Sequence, residues 1–291
     1  MHKKKVIVTG VGGQLGWSIQ QLSSQYPAFD FLFVDKEEMD LSNPASVAGF
    51  IQQNIPDYFI HCAAYTAVDK AETEKEIALA INATSVAEIA RQCALVNAKL
   101  VTISTDYVFD GNGTSPYKVD ETINPINYYG YTKWLGEKAA LENNADTVII
   151  RTSWVYCQHG HNFVKTMLRL MNEREEIKVV DDQVGCPTYA PDLAKAILTI
   201  LDESEKGNRH IGTYHFSNSG VISWYDFAVA IRDFSGLSCN VLPLPSAAYP
   251  TPAKRPAYSV MDTSKIVDDY HVQLTHWKES LQVCLKELAP L

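Results

Sequence analysis

Lys5-Val-Ile-Val-Thr9 running directly into Gly10-Val-Gly-Gly-Gln-Leu-Gly16 decides the fold of this chain. The β-branched run reads as a buried strand, and the glycines permit a tight turn into a helical pattern over Leu15 to Leu22. Such a turn leaves helix N-terminal amides unpaired and lets a pyrophosphate approach the backbone. Gly10, Gly13, Gln14, Leu15 and Gly16 are therefore expected to form the phosphate-binding part of a dinucleotide site.

Working outward, the same rhythm repeats. Phe29 to Val34, Tyr58 to Cys62, Leu100 to Ser104 and Thr147 to Ile150 are short apolar runs, separated by segments with helical periodicity such as Glu72 to Asn97. That βαβ alternation predicts an α/β fold, a Rossmann-type doubly wound parallel sheet covered by helices on both faces. After residue 151 the rhythm loosens. Strand-like Ile177 to Val180 and Gly212 to Phe216, helical Asn162 to Asn172 and Ser223 to Phe234, and a Pro-rich stretch from Leu242 to Pro256 follow. The expectation is a dinucleotide-binding domain over 1–151, with 152–291 mainly a smaller α/β substrate-binding lobe from which some segments return to the first domain. The Pro-rich stretch reads either as an ordered surface loop or as a polyproline segment for a partner.

The composition narrows the class. The chain has 291 residues, of which 46% are hydrophobic, and a formal net charge of −9. It is large enough for a substantial core, and its acidity argues against a nucleic-acid partner. No apolar run reaches the length of a membrane span and no leader-type segment opens the chain, so a cytoplasmic protein is expected. The cysteines, Cys62, Cys93, Cys157, Cys186, Cys239 and Cys284, contain no C-x-x-C pair and read as reduced thiols. His159 and His161 lack a second cluster of metal-ligand spacing, so no metal site is expected.

Two further constellations carry chemistry. Asp35 closes the second strand, where a carboxylate can accept hydrogen bonds from an adenosine ribose, and Asp40 and Leu41 follow as an adenine edge. Lys36 could pair with a 2′-phosphate, so the choice between NADH and NADPH stays open. Ala63, Ala64 and Tyr65 end the third strand with small residues that admit a dinucleotide. Tyr129 and Lys133 are one helical turn apart, which places an ammonium beside a phenol and would bias it toward ionisation. With the hydroxyl of Thr105 from Ser104-Thr-Asp-Tyr-Val-Phe-Asp-Gly111, they supply the groups a carbonyl reductase needs.

These motifs, with Ala63-Ala-Tyr-Thr-Ala-Val-Asp-Lys-Ala-Glu72, Tyr129-Gly-Tyr-Thr-Lys133, Arg151-Thr-Ser-Trp-Val-Tyr156, Asp182-Gln-Val-Gly-Cys-Pro-Thr188, Ser223-Trp-Tyr-Asp-Phe-Ala228 and Arg255-Pro-Ala-Tyr-Ser259, cover nearly the whole chain. In this order the chain resembles the extended short-chain dehydrogenases/reductases, and among them the branch that reduces 4-keto sugar nucleotides. The resemblance implies NAD(P)H-dependent reduction of the C4 ketone of dTDP-4-dehydro-L-rhamnose to dTDP-L-rhamnose. It assigns Tyr129 as the acid, Lys133 to the nicotinamide ribose, and Thr105 to the carbonyl. Asp106 and Tyr107 would lie near the sugar, Trp154 against the pyranose, and Arg255 at the diphosphate, with Gln183 near the base. Some relatives bridge a homodimer through Mg²⁺; the aligned positions here are Ser18 and Pro191, which bind no cation as a carboxylate does. Another extended-class reductase or epimerase, or a non-catalytic regulatory subunit, stays open as an alternative.

Overall fold

A computed structural model describes residues 3–288. The first half runs β1 (Lys4–Thr9), α1 (Gln14–Leu22), β2 (Phe29–Val34), α2 (Pro44–Asn54), β3 (Tyr58–His61), α3 (Val68–Ala71), α4 (Lys75–Leu79), α5 (Ser85–Leu95), β4 (Lys99–Thr105), α6 (Tyr128–Asn143) and β5 (Thr147–Thr152). The second runs β6 (Val155–Tyr156), α7 (Phe163–Glu173), β7 (Glu176–Val180), β8 (Val184–Gly185), β9 (Thr188–Tyr189), α8 (Ala190–Glu205), β10 (Gly212–His215), β11 (Ile222–Ser223), α9 (Trp224–Phe234), β12 (Asn240–Leu244), α10 (Ser264–Tyr270) and α11 (Trp277–Leu288).

Six strands form one parallel sheet in the order β2-β1-β3-β4-β5-β10. This is the doubly wound α/β arrangement expected from the βαβ rhythm. The chain steps outward from β1 to β2 and restarts at β3 on the other side of β1, so a crevice opens beyond the carboxyl ends of β1 and β3. One face of the sheet packs Val6, Val8 and Ile150 against Leu15 and Ile19 of α1 and Leu193, Ile197 and Leu201 of α8. The other packs Ile7, Phe59 and Ile149 against Val47 and Ile51 of α2, Val86 and Ile89 of α5, and Ala140 of α6. A separate cluster joins Val164 and Met167 of α7, Phe227 and Ile231 of α9, and Leu281 and Cys284 of α11, with Ile177 and Val241 from the paired β7 and β12. The Pro-rich stretch begins inside β12, which pairs with β7 along one edge, and continues as an ordered strap. No helix among the described residues is long and apolar enough to cross a membrane.

The segment from Glu72 to Asn97 is not one helix. Between α4 and α5 the chain makes a π-helical turn over Ala80–Thr84, which turns the side chain of Asn82 into the interior. Asn82 accepts from the Tyr65 amide at 2.9 Å and donates to the Tyr65 carbonyl at 3.0 Å and the Thr132 hydroxyl at 3.1 Å. One side chain thus ties the loop after β3 to α6. The approach is so close that a Cβ at Gly136 would run into the Asn82 carbonyl oxygen. Gly136→Ala should therefore destabilise the fold by about 1–3 kcal/mol through overpacking, read as a lower urea midpoint; an unchanged midpoint would show that α6 is not seated on the π turn.

Candidate active site

At the dinucleotide end, Gly10 has φ +70°, a left-handed conformation that glycine adopts without strain, and its carbonyl accepts from the Gly13 amide at 3.0 Å. A Cβ at Gly16 would strike that carbonyl, so α1 can begin this close to β1 only with glycine there. The first turn of α1 has no side-chain cap, which leaves its amides facing the crevice. Beside them lies a cavity of about 210 Å³ lined by Thr9, Gly10, Asp35, Asp40, Leu41, Ala63 and Ala64, with Val34, Met39, Ile77 and Ile81 as its apolar walls. Asp35 accepts from the amides of Gly12 at 3.2 Å and Lys36 at 2.9 Å, so its carboxylate also braces the glycine turn. The Ser42 hydroxyl and amide donate to Asp40 and hold its carboxyl below the usual range.

Three expected cofactor residues point elsewhere with their side chains. Leu15 sits in the core beneath the sheet. The Gln14 amide donates to Val155 O at 3.3 Å and accepts from Asn162 at 3.0 Å, bridging to the other lobe. The Tyr65 hydroxyl donates to Glu74 at 2.6 Å. At Gln14 and Leu15 only the backbone belongs to the turn.

The catalytic candidates meet at the end of β4. Asn127 caps α6 by accepting from the Gly130 amide at 2.8 Å, an interaction worth about 1 kcal/mol, and Glu72 accepts from the Tyr128 amide at 2.8 Å. A Cβ at Gly130 would collide with the Tyr107 carbonyl, so helix and loop lie flush. This brings Tyr107 and Tyr129 edge to face, with ring centroids 5.8 Å apart. The Thr105 hydroxyl donates to Asp106 at 2.9 Å and accepts from the Tyr107 amide at 3.2 Å. Asp106 is only 3% exposed and its Oδ2 has no hydrogen-bond partner among the described residues. Burial lifts its pKa to about 6, with the hydrogen bond from Thr105 acting the other way.

The expected tuning of the phenol by the ammonium is not found. Lys133 donates to the Ile103 carbonyl at 2.7 Å, and burial draws its pKa down to about 8 against the opposing charge of Glu137. Burial pushes the Tyr129 phenol well above its ordinary value and the Asp106 charge adds to this, with Thr105 acting the other way. Helical spacing placed both residues on one helix, but Lys133 reaches down to the strand end instead of along the helix to the phenol.

On the substrate side, Trp154 has φ +49° and stacks on Trp224 at 3.6 Å between centroids, with the ring also against Gly185. Arg255 is already engaged: its guanidinium grips Asp69 at 3.0 and 2.8 Å. Asp69, Glu72, Asn82 and Gly12 are site residues that sequence reasoning did not single out. Asp69, Glu72 and Gly12 lay within quoted motifs, whereas nothing local marks Asn82.

The buried Asp106 has a pH signature. Its folded pKa lies above the unfolded value, so the native state binds the proton more tightly and loses stability as pH rises from 4 through 6. Asp106→Asn keeps the acceptor for Thr105 and does not titrate. It should be more stable than the parent by on the order of 2 kcal/mol above pH 7, with the difference closing below pH 4. Urea unfolding at both pH values checks this; a difference independent of pH would contradict it.

Comparison with known proteins fits this geometry. Residues 4–289 match the family described as the RmlD substrate binding domain. The spore coat polysaccharide biosynthesis protein SpsK of Bacillus subtilis (strain 168) is 39% identical, with 97% of both chains covered. The dTDP-4-dehydrorhamnose reductase of Escherichia coli (strain K12) is 40% identical over 97% of each. The crystal structure of dTDP-4-dehydrorhamnose reductase from Bacillus anthracis in complex with NADP superposes with a TM-score of 0.91 at 40% identity, covering 98% of this chain and 100% of that one. Full-length matches of this kind mean that the chain belongs to the RmlD family of dTDP-4-dehydrorhamnose reductases.

Proposed function

We propose that this protein reduces the C4 ketone of dTDP-4-dehydro-L-rhamnose to dTDP-L-rhamnose with NADPH or NADH, the last step in making that activated sugar. The observation that carries the reading is the meeting of Thr105 and Tyr129 at the end of β4, one strand from the crevice with the glycine turn. The cavity suits an adenosine: apolar walls for the base and, at Asp35, an acid for the ribose. The amides of the turn would hold the pyrophosphate, and a bound reduced nicotinamide supplies the hydride.

Tyr129 then acts on the other product of that transfer, the developing negative charge on O4. Its raised pKa keeps the phenol protonated at neutral pH, which is the form reduction requires. As charge grows on O4, the phenol gives up its proton. Thr105 accepts from the Tyr107 amide and gives its one hydroxyl proton to Asp106, and would turn that proton to the same oxygen once substrate binds. Lys133, anchored at the Ile103 carbonyl, is the buried cation of this end of the cleft and would hold the nicotinamide ribose. The stacked Trp154 and Trp224 form an aromatic wall for the pyranose, and Arg255 is suited to phosphate oxygens by its fork.

The test follows NADPH and NADH absorbance on adding dTDP-4-dehydro-L-rhamnose made in place from its precursor. Oxidation is expected with the parent protein, and Tyr129→Phe should lower turnover by at least about a hundredfold while still binding the cofactor. Undiminished turnover in Tyr129→Phe would remove it as the acid, and no oxidation by the parent would overturn the substrate.

A further inference from the structure

We propose that Asp69 competes with the substrate's diphosphate for Arg255, and so sets how tightly this chain holds a nucleoside diphosphate. The inference rests on the reading of Arg255 as the diphosphate ligand. It starts from a pair that joins distant parts of the chain: Asp69 sits on α3, just after the loop lining the dinucleotide cavity, and Arg255 lies on the strap that follows β12. The two are 186 residues apart in the chain. Their contact is two-pronged, with Arg255 Nη1 on one carboxylate oxygen at 3.0 Å and Nη2 on the other at 2.8 Å. A carboxylate bound in this way fills the fork that two phosphate oxygens would use.

Three features make the pair exchangeable. First, water reaches it: the side chains are 26% and 39% exposed, against 5% and 6% for the Arg151–Glu137 pair in the core. Swapping one anion for another at Arg255 therefore strands no buried charge. Second, the strap has ties besides the bond that Arg255 Nη1 donates to the Ala253 carbonyl at 3.0 Å. Asn127 donates to the Lys254 carbonyl at 2.7 Å, and the Ala253 amide donates to Asp69 at 3.1 Å. Third, the place is right for a substrate. Arg255 lies within electrostatic reach of the Tyr107 side chain, whose ring meets that of Tyr129, so an anion on the guanidinium would sit near the catalytic phenol. A diphosphate arriving there must displace a carboxylate held close by the Ala253 amide, and the two anions repel.

Asp69→Asn removes the competing charge yet keeps an oxygen for the Ala253 amide. Calorimetric titration with dTDP alone, without cofactor or turnover, should show binding about threefold to tenfold tighter than in the parent, the range expected for loss of a part-exposed ion pair. Asp69→Ala should tighten it in the same direction. Arg255→Gln should weaken binding, and in that background Asp69→Asn should give little or no gain. If the parent binds dTDP while both Asp69 variants bind it equally or more weakly, or if the gain persists without Arg255, the competition is overturned and the pair is a structural tie. If the parent binds UDP or GDP in place of dTDP with the same tightening, the competition stands and the thymidine reading falls. If it binds none of them, the proposed function itself fails and the competition with it.

Discussion

The first turn of α6 can lie against the end of β4 only because residue 130 has no Cβ to meet the Tyr107 carbonyl. The rest of the cleft follows from that contact. It brings the Tyr129 ring to Tyr107, and through the Tyr107 amide to Thr105. A second flush contact, Gly136 against the π turn, seats the same helix lower down, where Asn82 links it to the loop beneath the dinucleotide cavity. One helix thereby fixes the spacing between the cofactor half and the reacting half. Positioning of this kind contributes to catalysis before any proton moves.

Buried charge is the second organising constraint. Asp106 and Lys133 are nearly enclosed, and burial shifts both toward neutrality. Nearby, Arg151 and Glu137 bond each other at 2.8 and 2.9 Å in the core, and Glu137 lies one helical turn beyond Lys133. This end of the sheet therefore holds ionisable groups whose desolvation is only partly compensated, a cost typical of sites built for chemistry.

How much of this was legible in the sequence depends on the range of the interaction. The glycine turn, the strands and the Tyr-Lys pair were legible because their patterns lie within a few residues. The segment from Glu72 to Asn97 shows helical periodicity in the sequence, but Glu72 to Glu74 lie outside any helix and the π turn between α4 and α5 coincides with long-range bonds from Asn82 to Tyr65 and Thr132 that have no local signature. The Asp69–Arg255 pair spans 186 residues and leaves no local trace. Trp154 was assigned to the sugar by resemblance, but neither its left-handed backbone nor its stack on Trp224 follows from residue type. The direction of the Lys133 side chain was misjudged for a related reason: spacing gives the face of a helix and not which acceptor a long side chain reaches.

The central claim is that this cleft carries a hydride from a nicotinamide to the sugar and a proton from Tyr129 to the oxygen. The most direct measurement supplies NADPH carrying deuterium at the transferred position of nicotinamide C4 and reads the sugar product by NMR. The account predicts deuterium on C4 of dTDP-L-rhamnose and none at its other ring carbons. Product that carries no deuterium at C4, or carries it elsewhere on the ring, would contradict it.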